Sequence, residues 1–119
     1  MFKLFLKGDE NAEKAFAKAS KKFELNIDEI QLVSYDQFLW SLIYMIAVAN
    51  KKLYVFSTDS KKPEEFNMSD YKELLIDKKV DLNLYLRSGR VINLTSVVGA
   101  KPKVVRTYKE FADRMNKLR

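Results

Sequence analysis

One continuous stretch decides the fold: Phe38-Leu-Trp-Ser-Leu-Ile-Tyr-Met-Ile-Ala-Val-Ala-Asn-Lys-Lys-Leu-Tyr-Val-Phe56. Its first part, up to Ala49, is apolar on every side, and by pattern alone it suits either a buried helix or a strand. The β-branched and aromatic residues that dominate Ile43 to Val48 favour a strand. Asn50 tolerates the left-handed backbone of a two-residue hairpin turn, so we predict that Ala49 lies opposite Lys52.

A second hairpin is predicted by strict alternation. Apolar residues alternate with polar ones on both sides of Arg87-Ser-Gly89. Glycine in the left-handed position fits a three-residue loop there. The resulting register sets Leu84 against Ile92 and Leu82 against Leu94, because a slip by one residue would bury polar side chains.

Helices are predicted near both ends of the chain. Gly8-Asp9 offers a break and an N-cap for the first, which runs to about Phe23 and buries alanines and phenylalanines at helical spacing. The last helix runs from Tyr108 to Leu118 behind the capping box Thr107-Tyr-Lys-Glu110. The preceding segment 101–106, which contains Pro102, is predicted to be an extended connector.

The segments between these elements show shorter patterns. Alternation from Ile30 predicts a strand that ends near Asp36-Gln37. Thr58 to Glu65 is predicted to be a polar loop, followed by a short turn at Met68-Ser-Asp70. Tyr71 to Lys78 suits a helix or a strand equally well.

The composition excludes whole classes of active site. The chain has 119 residues, enough for one domain, and it contains no cysteine and no histidine. The chain therefore lacks the residues for disulfides, thiolate nucleophiles and Cys/His zinc sites, and it lacks the commonest general acid–base group. We predict no enzyme activity, no cofactor and no metal. No apolar run approaches the roughly 20 residues that span a bilayer, and we expect a cytoplasmic protein.

The net charge of +6 is unevenly placed, because residues 101–119 hold seven basic and two acidic residues. Basic residues in two regions are candidates to face an anion. They are Lys14, Lys18, Lys21 and Lys22 on one flank of the first helix, and Lys101, Lys103 and Arg106 ahead of the last. Such groups attract phosphates, anionic lipid or acidic proteins, or they simply solvate the surface.

Four segments together resemble bacterial pleckstrin-homology-like (PH-like, or GRAM-like) domains. Ala49–Ser57 resembles their nucleus hairpin, Met68–Tyr71 the turn that follows, Leu84–Leu94 the late hairpin and Glu110–Leu118 the terminal helix. The resemblance covers about residues 28 to 118. It implies an α+β, mostly β fold, a barrel of two near-orthogonal antiparallel sheets capped by a C-terminal helix. The expected division is a single compact PH-like domain, residues 28–119, with an N-terminal extension, residues 1–27, that adds a strand and an amphipathic helix.

This fold is reused for lipids, peptides and self-assembly, so the resemblance does not choose a ligand. We expect a non-enzymatic module for protein–protein interaction or self-association. Alternation through the first hairpin turns Ile43, Met45, Tyr54 and Phe56 outward as an apolar surface. Either the N-terminal helix or a second copy, in a homo-oligomer, is expected to cover it.

The alternative function is a peripheral membrane adaptor that binds anionic lipid through the basic residues named above. The loop that is basic in phosphoinositide-binding PH domains corresponds to Asp36–Trp40, which has no Lys or Arg. The usual inositide site is therefore not expected. A nucleic-acid partner is not expected either, because Tyr85, Arg87 and Arg90 form only a small patch and no recognition motif accompanies them.

Overall fold

The computed structural model describes residues 3–58, 62–78, 81–95 and 102–118. The strands of this part are β1 (Lys3–Leu6), β2 (Ile30–Phe38), β3 (Ser41–Ala49), β4 (Lys52–Ser57), β5 (Glu64–Asn67), β6 (Tyr71–Asp77), β7 (Asp81–Leu86) and β8 (Val91–Thr95). Helix α1 spans Ala12–Phe23 and helix α2 spans Pro102–Leu118, and short 3₁₀ turns lie at Ile27–Glu29 and Met68–Asp70. The described chain is thus mostly β, and both segments left open between helix and strand are strands.

The strands form two antiparallel sheets within the described residues. One sheet has the order β1-β2-β3-β4-β5 and the other the order β6-β7-β8, so every pairing joins neighbours in the sequence. The N-terminal segment contributes β1 to the larger sheet, where Phe5 lies opposite Val33. The described part of the N-terminal extension therefore supplies a strand of the main sheet as well as a helix that packs on it.

The β3–β4 hairpin has the predicted register. Ala49 pairs with Lys52 and Ile46 with Val55. Asn50 and Lys51 form the turn, with φ values of 52° and 60°. Both turn residues therefore adopt the left-handed conformation that a two-residue hairpin turn requires.

The pairing of β2 with β3 contains a bulge that the alternation did not reveal. Asp36 lies opposite Tyr44 and Gln37 opposite Leu42, which leaves Ile43 between the paired positions. A bulge residue breaks the alternation of side chains. Ile43 therefore packs against the same core as Tyr44, and its predicted outward orientation is wrong.

The β7–β8 hairpin confirms one predicted pair and corrects another. Leu84 lies opposite Ile92, and Gly89 has a φ of 95° in the loop. A register shift between Leu82 and Asn83 then sets Leu82 against Thr95 instead of Leu94. The shift adds a residue to β8, yet Leu82 and Leu94 are both buried.

Both helices begin at positions other than those predicted. Helix α2 starts at Pro102, so the expected extended connector and the capping box at Thr107 are wrong. Proline suits the first helical position, because its missing N–H has no partner there in any case. Helix α1 starts at Ala12, and the Asp9 carboxylate accepts the Leu6 N–H at 2.8 Å instead of capping the helix.

The larger sheet separates two apolar clusters. The main core lies between the two sheets and α2, and includes the fully buried Tyr71, Phe111 and Met115. Its buried polar pair is Tyr44 and Ser34, whose hydroxyls are 3.1 Å apart. Burial raises the pKa of Tyr44, which keeps the phenol neutral.

The second cluster, here called the outer core, lies between the other face of the sheet and α1. The helix contributes five buried side chains, Ala12, Ala15, Phe16, Ala19 and Phe23. They are the side chains that helical spacing selected. The alanines let the helix backbone approach the sheet closely, because helix packing distance depends on side-chain size.

Candidate functional site

Helix α1 covers much of the hairpin surface proposed as an interface. Met45 is 1% exposed and lies in the outer core beneath the helix. Tyr54 and Phe56 are partly buried and pack against the same cluster. The Phe23 and Tyr54 rings are 5.7 Å apart, and the Lys22 ammonium lies 3.8 Å from the centre of the Phe56 ring. Helix α1 therefore covers Met45 fully and Tyr54 and Phe56 in part.

An exposed apolar turn lies at the other end of β3. Phe38 pairs with Ser41, so Leu39 and Trp40 form the two-residue connection between β2 and β3. Leu39 is 70% exposed and Trp40 is 96% exposed. Exposure at this level is unusual for the largest apolar side chain, which normally finds at least partial cover.

The backbone of this turn is strained. Leu39 has a φ of 56°, in the left-handed region. For a residue other than Gly, Asn or Asp this conformation costs about 1 to 2 kcal/mol. Neither exposure of Trp40 nor strain at Leu39 stabilises the fold, so the turn is a candidate for a role outside folding.

Three lysines of α1 stand beside this turn. Lys18, Lys21 and Lys22 line an open groove of about 400 Å³ together with Trp40 and, at its base, Gln37, Leu42 and Met45. The Lys18 ammonium donates to the Gln37 side-chain oxygen at 3.2 Å and lies 5.0 Å from the centre of the Tyr35 ring. These contacts hold the helix flank against the end of β2.

We call this arrangement the tip surface: Leu39 and Trp40 with Lys18, Lys21 and Lys22. Its groove is lined by lysine ammonium groups, one amide and apolar side chains, without a carboxylate among the described lining residues. The tip surface therefore offers positive charge beside an apolar projection. This combination suits a partner that is negative at its surface and apolar beneath it.

The other basic residues that were predicted to face an anion do not belong to the tip surface. Lys14 lies on α1, four residues before Lys18, and is exposed. Lys103 and Arg106 fall within the first turns of α2, and their side chains lie outside the described part. Lys101 also lies outside the described residues.

The sequence pattern correctly predicted a helix that carries Lys18, Lys21 and Lys22. It did not predict the turn at Leu39 and Trp40. Residues 38–49 read as one apolar run, and nothing in that run marked Leu39 and Trp40 as exposed. The available signal was Ser41, a polar residue inside an otherwise apolar stretch. The turn is defined by the pairing of Phe38 with Ser41, and only the tertiary structure shows this pairing.

Other charged side chains form ion pairs with one another. Arg90 makes two hydrogen bonds with the Glu64 carboxylate, at 2.9 and 2.7 Å. Lys52 lies 3.1 Å from Glu65, and its hydrogen bond lowers the pKa of that carboxyl, with a smaller contribution from the Tyr54 hydroxyl. Within the described residues, no group of three or more potential metal-ligating side chains occurs.

The aromatic-basic patch considered for nucleic acid is divided in the structure. The Tyr85 hydroxyl donates to the Asp77 carboxylate, which also accepts from Asn83 at 2.7 Å. Arg90 is paired with Glu64, and its guanidinium lies 5.6 Å from the centre of the Phe66 ring. Arg87 remains exposed on the neighbouring loop.

Comparisons of the chain with protein-family models, curated proteins and solved structures found no significant match. No helix in the described part has the length and hydropathy required to cross a bilayer.

Proposed function

We propose that this chain is a non-enzymatic, PH-like interaction module that docks peripherally on anionic membranes through the tip surface. The observation that carries the proposal is the 96% exposed Trp40 beside Lys18, Lys21 and Lys22. Tryptophan is enriched at membrane–water interfaces, where its amphipathic ring sits at headgroup level. Each lysine near an anionic surface adds about 1 kcal/mol.

The two parts of the tip surface contribute differently. Attraction of the lysines alone is screened by salt and does not require a folded turn. Insertion of Leu39 and Trp40 buries apolar area and resists salt. Together they predict binding that needs anionic lipid and weakens with salt, yet keeps a residual apolar component. The proposal covers these residues of α1 and the β2–β3 turn, and the basic residues ahead of and within α2 are not needed for it.

Self-association through Met45, Tyr54 and Phe56 remains the second candidate. The partial exposure of Tyr54 and Phe56 at the edge of the outer core supports it. Access to Met45 would require α1 to move. Light scattering on a sizing column tests this candidate: a monomeric mass at all concentrations contradicts it, and a defined oligomer supports it.

The composition offers a direct optical test of the membrane proposal. Trp40 is the only tryptophan in the chain, so its fluorescence reports on the tip surface alone. We expect the emission to shift to shorter wavelength with vesicles of phosphatidylcholine and phosphatidylserine, and to stay unchanged with phosphatidylcholine alone. Raising the salt concentration from 50 to 500 mM is expected to weaken, but not abolish, the shift. No shift with either vesicle contradicts the proposal.

Charge-matched variants separate the tip surface from net charge. Lys18→Glu with Lys21→Glu reverses two charges at the tip surface. Lys78→Glu with Lys109→Glu makes the same change at exposed positions on the β6–β7 turn and on α2. Loss of two attractions of about 1 kcal/mol each, to which the two glutamates add repulsion, predicts at least roughly 30-fold weaker binding for the first variant. An equal loss in both variants would indicate attraction through net charge alone.

A further inference from the structure

A second groove, at the end of β3 opposite the tip surface, is lined by cations from two different sheets. Lys51 comes from the β3–β4 turn and Arg87 from the β7–β8 loop. The remaining lining residues are Asn67, Met68, Ser69 and Leu118, and the volume is about 560 Å³. We call this the turn groove. Its volume falls in the range of small-molecule sites, about 300 to 1,000 Å³.

Backbone hydrogen bonds fix the main chain at Lys51 and at Arg87. The Met68 N–H donates to the Lys51 carbonyl at 2.9 Å, and the Arg87 N–H donates to the Asp70 carbonyl at 2.8 Å. Both bonds end on the same 3₁₀ turn, Met68–Asp70. Because a 3₁₀ turn rises about 2 Å per residue, it fixes the two loops a few ångströms apart along its axis. The two loops that carry Lys51 and Arg87 are therefore held next to each other.

Charge in the turn groove is uncompensated among the described residues. Neither Lys51 nor Arg87 forms an ion pair with another described side chain, and the described lining contains no carboxylate. A neighbouring groove on the other side of Leu118 adds Lys7, Arg114 and Lys117. Lys117, in the last turn of α2, also offsets the partial negative charge at the carboxyl end of that helix.

We propose that the turn groove binds a small phosphomonoester. Such a group carries about −1.5 to −2 charges at neutral pH, which two cations match. The planar guanidinium of Arg87 suits phosphate oxygens, and Lys51 supplies a point charge. Ser69 and Asn67 offer neutral hydrogen-bond donors, and Met68 with Leu118 offers an apolar floor for the carbon chain of the ester. This inference concerns a different surface from the membrane proposal and does not depend on it.

The test is an NMR titration of the full chain with inorganic phosphate and with butyl phosphate, at constant ionic strength. We expect saturable shifts at the amides of Lys51, Ser69 and Gly89. Butyl phosphate is expected to bind at least threefold more tightly than inorganic phosphate, because its chain reaches the apolar floor. Shifts that do not saturate, or no preference for butyl phosphate, would overturn the proposal.

The variants are chosen so that the fold is not at risk. Lys51 has a φ of 60°, which glycine adopts without strain, and Arg87 is exposed. Lys51→Gly with Arg87→Gln is expected to weaken butyl phosphate binding at least tenfold. The matched control is Lys78→Gly with Lys109→Gln, since Lys78 also has a left-handed φ, 53°. Equal affinity in the groove variant and the control would overturn the assignment.

Discussion

The two turns at the ends of β3 both connect antiparallel strands, but one turn is polar and the other is apolar. Both are two-residue hairpin turns that use the left-handed conformation. Asn50 and Lys51 are polar, and the Asn50 amide donates to the Glu29 carboxylate at 2.6 Å. Leu39 and Trp40 are apolar and exposed, and Leu39 is strained. The first turn places a tolerant asparagine and a polar lysine in solvent, and the second places two apolar side chains there, where a binding surface is proposed.

Both proposed sites also depend on neighbouring elements. The tip surface obtains its charge from α1, and the turn groove obtains one of its two cations from the second sheet. Neither turn carries its proposed ligand chemistry alone. The variants below test each turn and the elements that complete it.

Detaching α1 should have the largest effect on stability. Ala19 is completely buried in the outer core, so Ala19→Glu introduces an unpaired charge there. We expect a loss of about 3 kcal/mol in the free energy of unfolding, measured by urea denaturation. Vesicle binding should weaken as well, because the lysine row loses its position beside Trp40.

Ala17→Glu is the matched control for that variant, because Ala17 is exposed on the same helix. It should change stability by less than about 0.5 kcal/mol. Light scattering on Ala19→Glu then tests self-association: a rise in native mass would indicate that the uncovered hairpin surface associates. Equal stability of the two variants would contradict the packing of α1 described above.

Replacing the apolar turn by the residues of the polar turn tests membrane binding and stability separately. Leu39→Asn with Trp40→Lys removes both apolar side chains and places asparagine in the left-handed position. Loss of apolar burial predicts at least about tenfold weaker sedimentation with anionic vesicles. Stability should rise by up to about 1 kcal/mol, because asparagine tolerates this backbone better than leucine. Unchanged vesicle binding would contradict the role of the turn.

A control for this exchange removes other exposed apolar side chains. Ile27 and Val91 are also exposed, at 40% and 47%. Ile27→Asn with Val91→Lys should leave vesicle binding within about twofold of wild type, since neither residue belongs to the tip surface. A similar loss in this control would show that general surface hydrophobicity, and not the turn, drives sedimentation.

The reverse exchange should weaken the polar turn. Asn50→Leu places an intolerant residue at a φ of 52° and is expected to cost about 1 kcal/mol. Asn50→Gly also loses the hydrogen bond to Glu29 but fits the backbone. The difference between their thermal midpoints therefore measures the backbone strain, and equal midpoints would show that the turn tolerates leucine.

Acid should produce the smallest effect, through the polar cluster near the β6–β7 turn. Hydrogen bonds from Tyr85 and then Asn83 lower the pKa of Asp77 in the folded state. Its contribution to stability is therefore present above the unfolded pKa of about 3.9, and is lost as the pH falls through the lower folded value. Asp77→Asn should lose less stability than wild type between pH 5 and pH 2, measured by urea midpoints. An equal loss in Asp77→Asn and in wild type would contradict this contribution of Asp77.

The predictability of each element followed the range of the interactions that form it. The Asn50-Lys51 turn and its register were predicted correctly, because turn chemistry and alternation act over a few residues. The bulge at Ile43 and the shift beside Leu82 were missed, since they depend on how partner strands align. The start of α2 was predicted wrongly because proline has two preferences. It disfavours a helix at the residue before it, which predicted an extended connector, but it also suits the first position of a helix, which is where Pro102 lies.

The candidate sites divide in the same way. The sequence by itself determined the absence of cysteine and histidine, the lysine row of α1 and its buried face, and the central hairpin. Only the tertiary structure decided that α1 covers Met45, that Trp40 projects beside those lysines, and that Lys51 and Arg87 share a groove. Composition and period are local properties of the chain. A binding surface depends on which distant residues pairing and packing bring together, and on which side chains they leave exposed.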